Sequence, residues 1–215
     1  MFALTSDDLS GTMLDCAAGP ASFNAELSAA GHEVISCDPL YSHTAENIRS
    51  RLDATYSTVV ANARAGRGEF VWQEFKSPEH PGEVHMSAMQ RSLADFPKGT
   101  AEGRYIDRSL PHLGFSDDEF DLALCSHFLF THSDQLSVEF HVAAIEEMCR
   151  VAAEARVFPL LKDYGGPSPY LKPVLGLLRA LGYHTGVRKA PYEFQGGGEV
   201  GVEAGRSCGA VEHGA

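Results

Sequence analysis

The stretch Thr12–Tyr41, TMLDCAAGPASFNAELSAAGHEVISCDPLY, constrains the fold of this chain more than any other. Met13, Leu14 and Cys16 form a short apolar run of the kind found in parallel strands buried on both faces. Gly19 and Pro20 break that strand, and Pro20 suits the first position of a helix, where a missing N–H costs nothing. Phe23, Leu27 and Ala30 then recur at i, i+4 and i+7 on one helical face, and Gly31 is placed just past the helix end. Val34, Ile35 and Cys37 make a second strand, with Asp38 at its carboxyl end. Strand, tight turn, helix and strand in this order predict a βαβ unit and an α/β sheet.

Ligands of open α/β sheets sit outside the carboxyl ends of the strands, where strand order reverses. The turn after the first strand offers backbone N–H groups there, and a helix N-terminus favours anionic groups. Asp38 faces the same crevice from the side and can accept from paired sugar hydroxyls, so the unit suits a nucleoside-bearing ligand. A dinucleotide fingerprint needs G-x-G-x-x-G. This turn has the single glycine Gly19, which counts against a nicotinamide oxidoreductase.

A chain of 215 residues is one domain, or one domain with an insertion. Its net charge of −12, with Lys and Arg scattered, favours a small-molecule ligand over nucleic acid. No apolar run reaches the roughly 18 residues of a membrane span, and the start, MFALTSDDLSG, does not read as a signal peptide. Cys16, Cys37, Cys125, Cys149 and Cys208 show no C-x-x-C pair. That pattern fits buried thiols in a reducing cytoplasm, with no metal site.

Beyond the opening unit, Ile48, Leu52, Thr55, Val59 and Ala63 predict a helix over Tyr41–Ala65 that Gly66 ends. Residues 66–103 are too long for an ordinary loop and read as a helical insertion. Met86, Met89, Leu93 and Phe96 suggest a short amphipathic helix before Pro97. Trp72 in this insertion is a candidate for lidding a substrate pocket, with packing against the sheet edge as the other reading. Arg104–Ile106 is a short third strand ending at Asp107, and Leu122–Cys125 a fourth. Ser137 is placed as the N-cap of a helix carrying Val138, His141 or Val142, Ile145, Met148 and Ala152 at helical spacing. Glu154–Leu161 reads as a fifth strand, with Pro159 implying a bulge or an edge position. The loop Lys162–Pro167 brings Tyr164 towards the pocket, and a helix follows Ser168–Pro169 up to Gly182. Tyr183–Lys189 and Pro191–Gln195 read as a closing strand pair, to which Val200 and Val202 could add. The domain therefore spans residues 1–205, with a disordered tail over 206–215.

Asp15 to Ala21, DCAAGPA, resembles the first motif of class I S-adenosylmethionine-dependent methyltransferases, an acidic residue followed by alternating glycines. Asp15 and Gly19 match it. Ala17 and Ala21 stand where glycines are usual, a change the turn accepts if φ is negative at both sites. A second resemblance is the run from Asp107 through Leu110-Pro111 and Asp117–Asp121 into the fourth strand. Taken together, the resemblance runs from about Thr12 to Gln195 and implies a Rossmann-like, doubly wound sheet of seven strands, mostly parallel with an antiparallel last strand.

The resemblance also implies the cofactor S-adenosylmethionine, held by Asp15, Ala17, Ala18 and Gly19 of the turn, by Asp38 and Pro39, and by Asp107 and Arg108 beside the adenine. A backbone carbonyl at Cys125 or Ser126 would accept from its amino group. His127 is the candidate general base, since a neutral imidazole within about 3 Å of an acceptor hydroxyl or amine could take its proton. His132 is a candidate substrate contact. The expected activity is methyl transfer to a small molecule. The alternative is a ligand-sensing or partner-binding module without turnover.

Overall fold

The computed structural model describes residues 2–54, 80–162, 166–189 and 200–206. They form a seven-stranded sheet in the order β3-β2-β1-β4-β5-β7-β6. The strands are β1 (Met13–Cys16), β2 (Val34–Cys37), β3 (Tyr105–Ile106), β4 (Phe120–Ser126), β5 (Ala152–Phe158), β6 (Tyr183–Lys189) and β7 (Val200–Arg206). β1 pairs in parallel with β2 and β4, as do β2 with β3 and β4 with β5. β7 runs antiparallel between β5 and β6. This is the expected mostly parallel α/β sheet with an antiparallel finish, and its strand order reverses between β1 and β4.

All four residues of β1 are buried, as its apolar run requires. Met13 joins Val34, Leu122 and Leu124 on one face of the sheet, covered by Phe2, Leu4 and Leu9 and by Phe23 and Leu27. The last two lie on α2 (Phe23–Ala29), and Leu9 on α1 (Ser6–Ser10). Arg156 of β5 binds Asp8 of α1 through Nη2–Oδ1 at 2.8 Å and Nη1–Oδ2 at 3.0 Å, fixing this N-terminal cover to the sheet. Leu14 and Cys16 point to the opposite face. There they pack with Cys37, Cys125, Leu113 and the inner side of α5 (Val138–Val151), next to α6 (Leu171–Ala180). Ser137 caps α5 as expected, accepting from the Phe140 N–H.

Several local expectations are corrected. Pro20 lies in the turn and α2 begins at Phe23. The chain does not enter a helix at Tyr41. Asp38 first caps a 3-10 turn over Pro39–Ser42, and α3 follows over residues 45–54. Residues 55–65 of the expected helix lie outside the described residues, as do Trp72, Tyr164, Pro191–Gln195, Cys208 and the tail beyond Arg206. Within the insertion, α4 (His80–Ala101) runs through Pro97. Pro97 is exposed and one turn from the end, so the helix forgoes a single N–H···O bond and continues. Leu93 and Phe96 then bury against Tyr41, Ile48 and Tyr105. Pro159 lies just past β5 and makes no bulge. β6 finds its partner in Val200–Arg206, in the glycine-rich stretch. A Cβ at Gly201 would stand 3.1 Å from Val157 O, and one at Gly205 3.2 Å from Ala153 O, so glycine there permits close approach to β5.

A buried polar chain ties α2 to the strands. Asn24 is 1% exposed, and its side-chain amide reaches Val34 O at 3.2 Å, Ser36 Oγ at 3.1 Å and Arg104 O at 3.1 Å. Arg104 donates to Asn24 Oδ1 and binds Asp95 of α4 at 2.8 and 2.9 Å. Asn24→Leu keeps the volume and strips these partners. The expected loss is about 2–4 kcal/mol in urea unfolding with an unchanged m-value. A loss well under about 1 kcal/mol would show that the chain of bonds does not hold α2 in place.

Candidate functional site

The carboxyl ends of β1, β2 and β4 are level because Cys16 pairs in register with both Cys37 and Cys125. Ala17, Asp38 and Ser126 therefore stand side by side at the point of strand reversal. Ala17 has φ +53°, so the condition of a negative φ is not met there. An L-residue in this region costs roughly 1–2 kcal/mol. Gly19 follows at φ +56°, with open space where a Cβ would stand, so its backbone angle is what calls for glycine. Ala21 is not among the residues with positive φ.

Asp38 joins the two turns. Its Oδ2 accepts the Gly19 N–H at 2.9 Å and its Oδ1 accepts the Leu40 N–H at 2.7 Å. The Tyr41 hydroxyl donates to Gly19 O at 2.7 Å, and the Ala18 N–H donates to Cys37 O at 3.3 Å. Pro39 starts the 3-10 turn and is exposed, whereas Asp38 is half-buried. Sequence reasoning placed Asp38 here but missed Tyr41. Its position three residues after Asp38, in a D-P-L-Y run, was the available signal.

The Asp38 N–H donates to Ile106 O at 3.2 Å, so Asp107, which follows β3 and is exposed, stands at the neighbouring strand end. Arg108 is engaged elsewhere: Nη1 donates to Leu113 O at 2.6 Å and its guanidinium lies 4.4 Å from the Phe115 ring centre. It props the loop between β3 and β4. Past β4, the His127 N–H donates to Phe158 O at 2.7 Å, holding His127 at φ +52°. Its Nδ1 is 2.7 Å from Ser126 Oγ, and its exposed ring meets Phe158 edge-on at 5.6 Å. His132 is in a separate place, in the 3-10 turn Phe130–His132, edge-on to Phe128 at 6.0 Å. The structure thus gathers Asp15, Gly19, Asp38, Asp107, Cys125, Ser126 and His127 at one end of the sheet. Among the described residues, no three His, Cys, Asp or Glu side chains form a group that could hold a metal ion, and no helix is long and apolar enough to cross a membrane.

The electrostatics of the site centre on Asp15. Burial, followed by the nearby Asp38 charge, raises its carboxyl to about 7 against a bond from Ser36 Oγ at 3.3 Å. The Cys37 thiol beside it and its own burial push Cys16 well up, and burial pushes Cys125 up. These thiols are poor nucleophiles. The folded protein keeps a proton on Asp15 that the unfolded chain gives up, so stability falls as pH rises from about 4 to about 7. The full cost above that window is on the order of 4 kcal/mol. Asp15→Asn removes it. The melting temperature of the variant relative to the wild type should therefore climb between about pH 4 and pH 7 and level off above. A difference that stays flat across that range would place the Asp15 titration elsewhere.

No family model matches the chain. Among solved structures it is similar to a TehB-like S-adenosylmethionine-dependent methyltransferase from Corynebacterium glutamicum, at 16% identity and TM-score 0.49, covering 92% of this chain and 81% of that one. It is also similar to magnesium protoporphyrin IX methyltransferase from Synechocystis, crystallised with S-adenosylmethionine, at 18% identity and TM-score 0.45, covering 94% and 73%. The uncharacterized protein MJ0045 of Methanocaldococcus jannaschii is 32% identical over 199 residues, 92% of this chain and 87% of that protein. With that identity along nearly the whole of both chains, this protein belongs to the family of MJ0045.

Proposed function

We propose that the chain binds S-adenosylmethionine at the carboxyl ends of β1, β2 and β4 and transfers its methyl group to a small-molecule acceptor. The observation that carries this reading is the placement of Asp38. It closes the glycine turn from the end of β2, beside the strand reversal, and each carboxylate oxygen has accepted one N–H. An ionised carboxylate has about four acceptor sites, so both oxygens retain capacity for sugar hydroxyls. Asp15, the backbone of Ala17, Ala18 and Gly19, and Pro39 would complete the nucleoside site. Asp107 would reach the adenine, with Arg108 holding the loop beneath. A backbone carbonyl at Cys125 or Ser126 would accept from the amino group.

The bound cofactor supplies an electrophilic sulfonium methyl group. The protein's share is alignment of a nucleophilic O, N, S or C of the acceptor and exclusion of water. His127, set by Ser126 and the Phe158 carbonyl, would take the acceptor's proton, and His132 would contact the acceptor. The rest of the pocket would be closed by the insertion over residues 66–103, with Trp72, and by the loop that carries Tyr164. A net charge of −12 supports a small molecule over a polyanion.

Titration calorimetry with S-adenosylmethionine and S-adenosylhomocysteine tests the reading. Micromolar binding is expected, weakened roughly 10- to 100-fold in Asp38→Ala by loss of charge-assisted bonds to hydroxyls. No binding by the wild type would overturn it. Binding without transfer to any acceptor in a broad panel would leave a ligand-binding module.

A further inference from the structure

His141 stands outside the crevice, in the first turn of α5, and is fully buried. Both of its ring nitrogens meet backbone carbonyls: Nδ1 lies 2.7 Å from Ser137 O and Nε2 lies 2.9 Å from Leu129 O. A carbonyl oxygen only accepts, and a neutral imidazole has one N–H. A neutral ring would satisfy one contact and set a nitrogen lone pair against the other oxygen. Both contacts are met when the ring carries two N–H groups. Around it lie the Phe130 ring at 5.1 Å and the Tyr170 ring at 5.7 Å. The helix N-terminus disfavours a cation there. Two charge-assisted bonds and an aromatic ring within about 6 Å act in the other direction.

What the ring grips matters for the site. Leu129 is two residues beyond His127, in the segment between β4 and the 3-10 turn. β5 holds that segment from one side, through the bond from the His127 N–H to Phe158 O. His141 holds it from the other, tying the Leu129 carbonyl to the start of α5. We propose that His141, protonated on both ring nitrogens, is a positioning residue that sets the backbone of residues 126–132, and with it His127, on the acceptor side of the site. Its link to methyl transfer rests on the function proposed above, whereas the clamp itself does not.

Ring 15N NMR of the wild type at neutral pH tests the clamp. Two protonated nitrogens are expected at His141, and a nitrogen with a lone pair would overturn the proposal. The variant His141→Phe keeps the ring shape without donors. Its His127 amide should exchange at least about tenfold faster while the amides of α6 keep their protection. Unchanged exchange at His127, or equal loss at α6, would contradict the proposal. The functional readout compares S-adenosylhomocysteine with 5′-methylthioadenosine, which lacks the amino-acid part. The variant should weaken the first about tenfold and leave the second unchanged. Equal weakening of both, or no weakening of either, would remove the link to the site. If the wild type binds neither compound, the methyl-transfer reading falls, and ring protonation and amide exchange alone decide the clamp.

Discussion

Asp38 accepts one N–H from each of the two turns it lies between, Gly19 after β1 and Leu40 after β2. Half-buried backbone donors at the end of a parallel sheet need such partners, because the ladder has stopped and water has partial access. The Tyr41 hydroxyl on Gly19 O and the Ala18 N–H on Cys37 O close the same knot. Together they hold Ala17 at a positive φ that alanine alone would not adopt. A residue kept in such a conformation persists when its surroundings over-determine it, and such residues cluster at functional sites. His127, just past the adjacent β4, also has a positive φ and donates its N–H to Phe158 O.

The site's charge state depends on a second, deeper set of contacts. Asp15 shares Ser36 with Asn24, and Asn24 in turn meets Arg104 and hence Asp95 on α4. The carboxyl nearest the turn is thus connected to the helical insertion through buried polar groups. Burial next to Asp38 keeps Asp15 titrating near neutrality. A buried carboxyl with a second carboxyl close by holds its proton to higher pH than an isolated one.

Much of this was legible in the sequence because it was local. The apolar run of β1, the helical spacing of Phe23 and Leu27 and the strand before Asp38 each follow from periodicity within a few residues, and the structure places all three as read. The misses required tertiary information. The sign of φ at Ala17 is set by bonds from β2. Pro97 stays within α4 because Leu93 and Phe96 bury on Tyr41 and Tyr105, contacts that outweigh a local helix breaker. The glycine-rich stretch around Gly201 and Gly205 shows only weak strand character in sequence, and its pairing becomes plain once β5 is beside it, where glycine is what lets the strands approach. Arg108 matched a motif position, yet its guanidinium is engaged by Leu113 O and Phe115. His141 carried no motif at all, since its importance lies in two carbonyls that only the fold brings to it.

The most direct test of the central claim is a two-dimensional amide NMR titration with S-adenosylhomocysteine, following the Gly19 and Leu40 N–H groups that Asp38 holds. Binding of ribose hydroxyls to that carboxylate must redistribute its charge between old and new donors. The account expects these two signals to shift together, at one common dissociation constant, among the largest changes in the spectrum. Saturable binding that leaves both signals in place would contradict it, because the nucleoside would then lie somewhere other than the knot that Asp38 ties.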